Sequence, residues 1–271
     1  MVWIDTVNSA QTVAVNITKV TSGKICGHAE GVIHNKALPC LSVVQAIHGN
    51  YDIALNGGQT MNTGEMGVFI APSGVQQTIG HHDGKDGVMH AHWAFINATV
   101  NGRNELDFSF HFPTLLPAQH NERVFELLNK IAQEESYCLR YAATYCLLDI
   151  LMQYAIQQPE EDEAMSAIRA FVQANFTKKI QANEIAEAIH CSSAQVFRYV
   201  KRYFGLSPAN YVNLVRLQNA ALALECSNAP VTEIAYDVGF NDLPYFSNLF
   251  RRKFGRSPQQ YRLNVQRVKD N

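Results

Sequence analysis

The chain has 271 residues, 47% hydrophobic and 17% charged, a globular composition long enough for two separate cores. The formal net charge of −2 conceals an asymmetry: residues 1–165 carry 8 Lys and Arg against 17 Asp and Glu, and residues 166–271 carry 14 against 7. This excludes a uniformly basic, polyanion-coating protein and directs any nucleic acid to the C-terminal part. Six cysteines (Cys26, Cys40, Cys138, Cys146, Cys191, Cys226) form no CxxC pair, so reduced thiols are expected rather than a disulfide framework. The opening MVWIDTVNSAQ lacks a basic segment followed by an apolar one, and no run of about 18 apolar residues occurs. These features predict no secretory signal and no membrane span, hence a cytoplasmic protein.

From Val13 to about Phe112 the chain alternates short apolar runs (CLSVVQAIHG, YDIALNGG, GVFIAPSG, MHAHWAFINATV) with turn residues such as Asn56-Gly57-Gly58 and Pro72-Ser73-Gly74. Short strands at this spacing predict a sandwich or barrel, with a strand starting at His48 and a hairpin at the NGG turn. The rhythm resembles the cupin-type barrel, a small jelly roll whose mouth commonly holds a small ligand. His90 and His92 are two apart in a predicted strand and so share a face, opposite Trp93 and Phe95. Which face lines the barrel is open at this level. A metal would ask for a fuller ligand set: Gln76 and Gln77 follow the Pro-Ser-Gly turn, and no carboxylate sits close behind His92. Two readings remain open for His48, Gln76, His90 and His92. One has them hydrogen-bonding an organic ligand, and the other makes them structural or surface residues.

From Asn121 to Gln158 the period turns helical. Val124, Leu127, Leu128 and Ile131 form one stripe; Leu139, Ala143, Cys146, Leu147, Ile150 and Leu151 form another. They serve either to close the barrel or, as the area argument favours, to pair with a second copy. QQPEEDE, Gln157–Glu163, reads as a linker.

Two helical hairpins follow. In the first, Ala182, Ile185, Ala186 and Ile189 are apolar at helical spacing, and Ser192-x-x-Gln195 has capping-box spacing. The next helix has Val196, Tyr199 and Val200 on one side and Ser193, Ala194, Phe197, Arg198, Lys201 and Arg202 on the other. A long helix opens at Ser207-Pro208. In the second hairpin, Gly239 ends a short helix, Asp242 is placed to cap the next, and Pro244 falls in its first turn. Phe246, Leu249 and Phe250 form its inner stripe; Leu243, Pro244, Ser247, Asn248, Arg251 and Arg252 lie outside. One such hairpin is equally an ordinary helical pair or a helix-turn-helix. The repeat of Phe204-Gly205-x-Ser207-Pro208-x-x-Tyr211 as Phe254-Gly255-x-Ser257-Pro258-x-x-Tyr261, 50 residues on, favours two DNA-reading heads. Two recognition helices roughly 34 Å apart would enter successive major grooves.

These residues resemble the AraC/XylS family of transcription regulators. The motif is Ile234-Ala235, Val238-Gly239-Phe240, Asp242, Tyr245-Phe246-Ser247, Phe250-Arg251-Arg252, Phe254-Gly255, Ser257-Pro258 and Tyr261-Arg262. Ile185-Ala186, Ser192, Arg198, Gly205, Ser207-Pro208, Tyr211, Arg216-Leu217 and Ala220 echo it in the first unit. The resemblance implies a cytoplasmic homodimer without cofactor that binds double-stranded promoter DNA. It would respond to a small molecule, in many members a carbohydrate, and meet RNA polymerase if it is an activator. It implies base reading by Ala194, Phe197, Arg198 and Lys201 and by Leu243, Pro244, Ser247, Asn248 and Arg251. Arg198 suits guanine and Asn248 adenine; Arg202, Arg252 and Lys253 suit phosphate. Phe197, large and apolar on a basic face, suits a thymine methyl.

The expectation is thus an α+β chain. A cupin-like β-barrel occupies 1–120, a helical dimerisation segment 121–158, a linker 159–165, and an all-α domain with two helix-turn-helix motifs 166–271. The competing classes are a metal-dependent cupin enzyme fused to a DNA-binding domain and a thiol redox sensor.

Overall fold

The computed structural model describes residues 2–5, 12–101, 104–158 and 162–267. The chain divides into two compact units, one running to Gln158 and a helical one extending from there to Arg262.

The N-terminal unit is built from two antiparallel sheets. The first has strand order β1 (Val2–Asp5), β2 (Thr12–Gly27), β9 (Met89–Val100), β4 (Leu41–His48), β7 (Val68–Ala71), with β10 (Asn104–Glu105) also on β9. The second has order β3 (Ile33–Lys36), β8 (Gln77–His82), β5 (Asn50–Leu55), β6 (Met61–Asn62). His48 therefore ends a strand rather than starting one. Gly49, at φ +78°, turns the chain into β5, where a Cβ would fall 2.2 Å from the His82 carbonyl oxygen. The NGG hairpin forms as expected, joining β5 to β6. Contacts cross between the sheets. Tyr51 meets Phe69 edge-on at 5.5 Å, and the Lys36 ammonium lies over the Phe95 ring at 5.2 Å.

These contacts settle the two faces of β9. Phe95 and its neighbour Trp93 look toward the other sheet. Ala94, Ile96, Ala98 and Val100 pack instead with α2 (Asn121–Gln133) and α3 (Tyr137–Met152) in one apolar core. The apolar stripe of α2, Val124, Leu127, Leu128 and Ile131, is wholly spent on that core. At about 1.5–3 kcal/mol for each large side chain buried, this stripe belongs to the fold and not to a free interface. In α3 the inner positions Ala143, Leu147, Ile150 and Leu151 join the same core, but Leu139 is 59% exposed and Cys138 and Cys146 are exposed. A short α1 (Leu106–Ser109) leads to β11 (Phe110–His111), which pairs with β12 (Ile156–Gln157) beyond α3. The linker is shorter than its composition suggests. Gln157 is in a strand, and Asp162 caps α4 (Glu163–Asn175) by accepting from the Ala164 N–H. Residues 159–161 of the expected linker lie outside the described residues.

The helical unit continues with α5 (Ala182–Ala188), α6 (Ser193–Phe204), α7 (Pro208–Cys226), α8 (Val231–Asp237), α9 (Leu243–Phe254) and α10 (Pro258–Arg267). Met165, Ile168 and Val172 of α4 pack with Ile185, Ala186, Val196, Val200, Tyr211, Val212 and Val215 as one core. In the second half Phe246, Phe250 and Phe254 are buried; Phe250 is in ring contact with both of the others, and Phe250 and Phe254 with Tyr261. The Tyr261 hydroxyl donates to Glu225 at 2.5 Å.

Candidate nucleic-acid interface

Each recognition helix is set by local chemistry. For α6, Ser192 accepts from the Gln195 N–H through its hydroxyl, and Gln195 accepts from the Ser192 N–H at 2.8 Å. The expected capping box is complete, satisfying two N–H groups the helix start would leave open. Gly205, at φ +69°, ends the helix in the left-handed region. For α9, Asp242 accepts from the Tyr245 N–H at 2.9 Å, Pro244 occupies the first turn, and Gly255 at φ +75° ends it. The turns differ. In the first motif His190, a non-glycine residue, takes φ +54°. In the second Gly239 takes φ +93°, and a Cβ there would sit 2.7 Å from the Thr177 carbonyl oxygen. Ile185 and Ala186 correspond to Ile234 and Ala235, 49 residues on, while Ser192 corresponds to Asp242, 50 on. The second turn is therefore one residue longer, and the extra residue precedes the cap.

With the inner positions buried (Val196 and Val200; Phe246 and Phe250), the outer faces follow. Ala194, Phe197, Arg198, Lys201 and Arg202 are exposed on α6, and Ser193 is half-buried. Pro244, Asn248, Arg251 and Arg252 are exposed on α9, and Leu243 and Ser247 are half-buried. Phe197 is 50% exposed, and its counterpart in the second motif is Ser247. Lys201 donates to the Gly205 carbonyl at 2.9 Å and so rests at the C-terminal end of its own helix. Lys253 is partly buried, and that burial lowers its pKa. Tyr245, 47% exposed, accepts from the Asn213 amide at 3.2 Å. Behind both motifs, the Arg216 guanidinium donates to the carbonyls of Phe176 and Lys178, each at 2.7 Å, and lies over Phe240.

The N-terminal site residues do not come together between the sheets. His90 and His92 share a face, as strand parity requires, but it is the face under α2, where His92 stacks on Phe125 at 5.4 Å. Burial pushes His92 down to about 4. His90 lies 3.3 Å from the Cys26 sulfur. His48 lies 3.2 Å from Glu65 on the surface, and Gln76 is half-buried just ahead of β8. The polar residues that do face between the sheets are others. Gln77 and Ser42 are 0% exposed, with both amide atoms of Gln77 and the Ser42 hydroxyl without a partner. His81 is 3% exposed, its Nδ1 unpartnered and its Nε2 3.2 Å from His34. Burial first, then the fields of His34 and Lys36, pushes His81 down to about 2. The unfolded chain takes up that proton at its ordinary value, so this residue makes stability fall as pH drops below about 6.5. Among the described residues no group of three or more His, Cys, Asp or Glu is placed to hold a metal ion. No helix among them is long and apolar enough to cross a membrane.

Comparison with known proteins agrees with the helical geometry. Residues 185–264 match the family model for a helix-turn-helix domain. The chain is 30% identical over 174 residues to the HTH-type transcriptional activator RhaS of Escherichia coli strain SE11, covering 59% of this chain and 63% of that protein. It is 28% identical over 173 residues to RhaS of Mannheimia succiniciproducens, covering 62% and 63%. The matches thus span less than two thirds of these relatives. Among solved structures, ToxT from Vibrio cholerae superposes with a TM-score of 0.64 at 12% identity over 90% of this chain and 98% of that one. ToxT with a bound unsaturated fatty acid gives 0.65 at 12% identity, over 94% and 98%. At such identity these likenesses speak for the fold alone. The tandem motifs, the match to the helix-turn-helix family model and the two-part fold shared with the solved neighbours agree: a sheet-rich N-terminal unit is joined to a C-terminal helix-turn-helix domain.

Proposed function

We propose that this chain is a sequence-specific transcription regulator, and an activator, that reads promoter DNA with α6 and α9 and answers to a small molecule held by its N-terminal unit. The observation that carries the reading is the pair of capped helices whose buried stripes leave basic and polar side chains outward in register. Arg198 and Asn248 have the donor patterns for guanine and adenine edges, and Arg202 and Arg252 supply charge for phosphate. RhaS is a transcriptional activator and ToxT is seen with a bound unsaturated fatty acid, which supports regulation by a ligand in a protein of this plan. The resemblance favours a carbohydrate-related effector, a jelly-roll sensor of the cupin type and a cytoplasmic setting. The exposed side of α3, with Tyr137, Leu139, Ala142 and Cys146, supports a homodimer, and an activator at a promoter meets RNA polymerase.

The test is selection of bound duplexes from a random pool, followed by titration of the selected site with wild type and with Arg198→Ala. A discrete site whose preference relaxes at one base pair in the variant is expected. Recovery of no site, or equal loss on every sequence, would sink the reading.

A further inference from the structure

The two helix-turn-helix motifs are coupled by more than the helix that joins them. α7 starts in the first core, where Tyr211, Val212 and Val215 are buried, and goes on to pack with α8 and α9. A joint made by one helix leaves the angle between the motifs to whatever braces it. Arg216 stands at the middle of α7 and is half-buried. Its Nε donates to the Phe176 carbonyl and its Nη2 to the Lys178 carbonyl, each at 2.7 Å. Phe176 is the C-cap of α4, so the guanidinium serves a helix end whose carbonyls lack partners and favour a cation. The same group lies over the Phe240 ring at 5.6 Å. One planar fork therefore holds both the segment that leads into α5 and the turn that leads into α9. The turn itself rests on that segment. At Gly239 a Cβ would fall 2.7 Å from the Thr177 carbonyl oxygen and 3.0 Å from that of Phe176. The first turn is built without this contact chemistry. Cys191 and Phe240 are equivalents, each donating its N–H at 2.9 Å, to Ala186 and to Ala235, and His190 stands where the second turn has Gly239. The glycine and the ring thus belong to the turn that meets its neighbour. Nearby, the Asn213 amide of α7 donates to the Tyr245 hydroxyl of α9 at 3.2 Å.

We propose that Arg216 is a positioning residue that fixes the separation of α6 and α9 along the duplex, so that the protein rejects sites whose two boxes, the bases read by each helix, stand one base pair nearer or farther apart. One base pair moves a box by about 3.4 Å along the axis and turns it by roughly 34°. Braced motifs cannot follow that displacement, and motifs joined by α7 alone can flex to meet it. This deepens the regulatory reading above and rests on it. The experiment takes the duplex selected by the full chain and locates its boxes as the pairs at which Arg198→Ala and Asn248→Ala relax preference. Two further duplexes have one base pair inserted or removed between the boxes. Competition binding compares the three for wild type, Arg216→Met and Arg216→Lys, and thermal unfolding shows whether each variant is folded. Wild type should lose roughly tenfold or more on either altered duplex, the scale of a lost base contact. Arg216→Met keeps the bulk of the stem without the fork, and its preference among the three should shrink to no more than about threefold. Its discrimination at the pair read by Arg198 should stay at the wild-type level. Arg216→Lys keeps the charge but not the two-pronged geometry, so its preference should fall between the two. A merely structural role would weaken all three duplexes by one factor and leave the preference intact. The proposal is overturned by a wild type indifferent to spacing or by a folded Arg216→Met with wild-type preference. If Arg216→Met does not fold, Arg216→Lys decides, and wild-type preference there overturns it equally. Recovery of no site sinks the regulatory reading itself, whereas a selected site with unchanged spacing preference in the variants sinks the brace and spares the regulator.

Discussion

The two helix-turn-helix motifs are one design executed twice with different materials. The first spends a capping box, a strained His190 and a basic outer face carrying Phe197, Arg198, Lys201 and Arg202. The second spends an aspartate cap, an obligatory glycine, an inner row of phenylalanines and an outer face that begins with Leu243 and Pro244. The first helix therefore presents more hydrogen-bonding capacity to a groove, and the second is the better packed. A rigid second motif would fix the register on DNA while the first supplies most of the base discrimination.

The sharpest way to break this comparison is at the turns. Gly239→Ala meets both a disfavoured φ and the Thr177 carbonyl, and should cost about 2–4 kcal/mol in denaturant unfolding. His190→Gly relieves a positive φ but loosens the unfolded chain, so it should change stability by less than about 1 kcal/mol. Comparable losses at both positions would show that the turns are equivalent. Next come the side chains proposed to read bases. Arg198→Ala should lose about 1–3 kcal/mol of discrimination at one G·C pair. Asn248→Ala should lose less, because the apolar start of α9 gives it fewer helpers; competition binding against single-substituted sites measures both. Removing the caps should cost about 1 kcal/mol each, for Ser192→Ala and for Asp242→Ala, read from thermal unfolding. Phe197→Ser makes the first motif match the second at that position. It should lower affinity for the selected site by no more than about 1 kcal/mol, confined to one T·A pair and abolished when uracil replaces that thymine. Finally, Arg202→Ala and Arg252→Ala should each flatten the salt dependence of binding by about one unit of slope with little change in sequence preference.

Much of the helical unit was legible because its signals are local. Ser192 and Gln195, Asp242, Gly239, Pro244 and the Phe246–Phe250 stripe each act within one or two turns of their own position, so spacing alone reveals them. The longer second turn was also written in the spacing, as 49 residues between the first helices and 50 between the second. The N-terminal unit was less legible because β9 is buried on both sides. Its burial runs almost unbroken from Ala91 to Ile96, so no polar alternation tells the inner face from the face under α2. His90 and His92 drew notice as histidines, yet their parity puts them beneath a helix distant in sequence. Gln76 and Gln77 are neighbours, and in a strand one residue decides between the rim and the interior. The signal pointing to Gln77 was its alternation with Ile79 and His81. Without the register to β3 and β5, that alternation reads equally as the outer face.

The pairing of β11 with β12 has a practical consequence for dissecting the protein. Phe110 lies across from Gln157, and the Gln158 N–H donates to the Ser109 carbonyl at 2.9 Å, so α2 and α3 are enclosed between two stitched ends of chain. A fragment stopped near residue 120 would strip the cover from Ala94, Ile96, Leu41 and Val43 and should aggregate through that bared apolar sheet. A fragment ending at Gln158 keeps both the cover and the stitch. Limited proteolysis should accordingly yield one resistant piece ending beyond Gln157, with no lasting cut between Phe112 and Asn121.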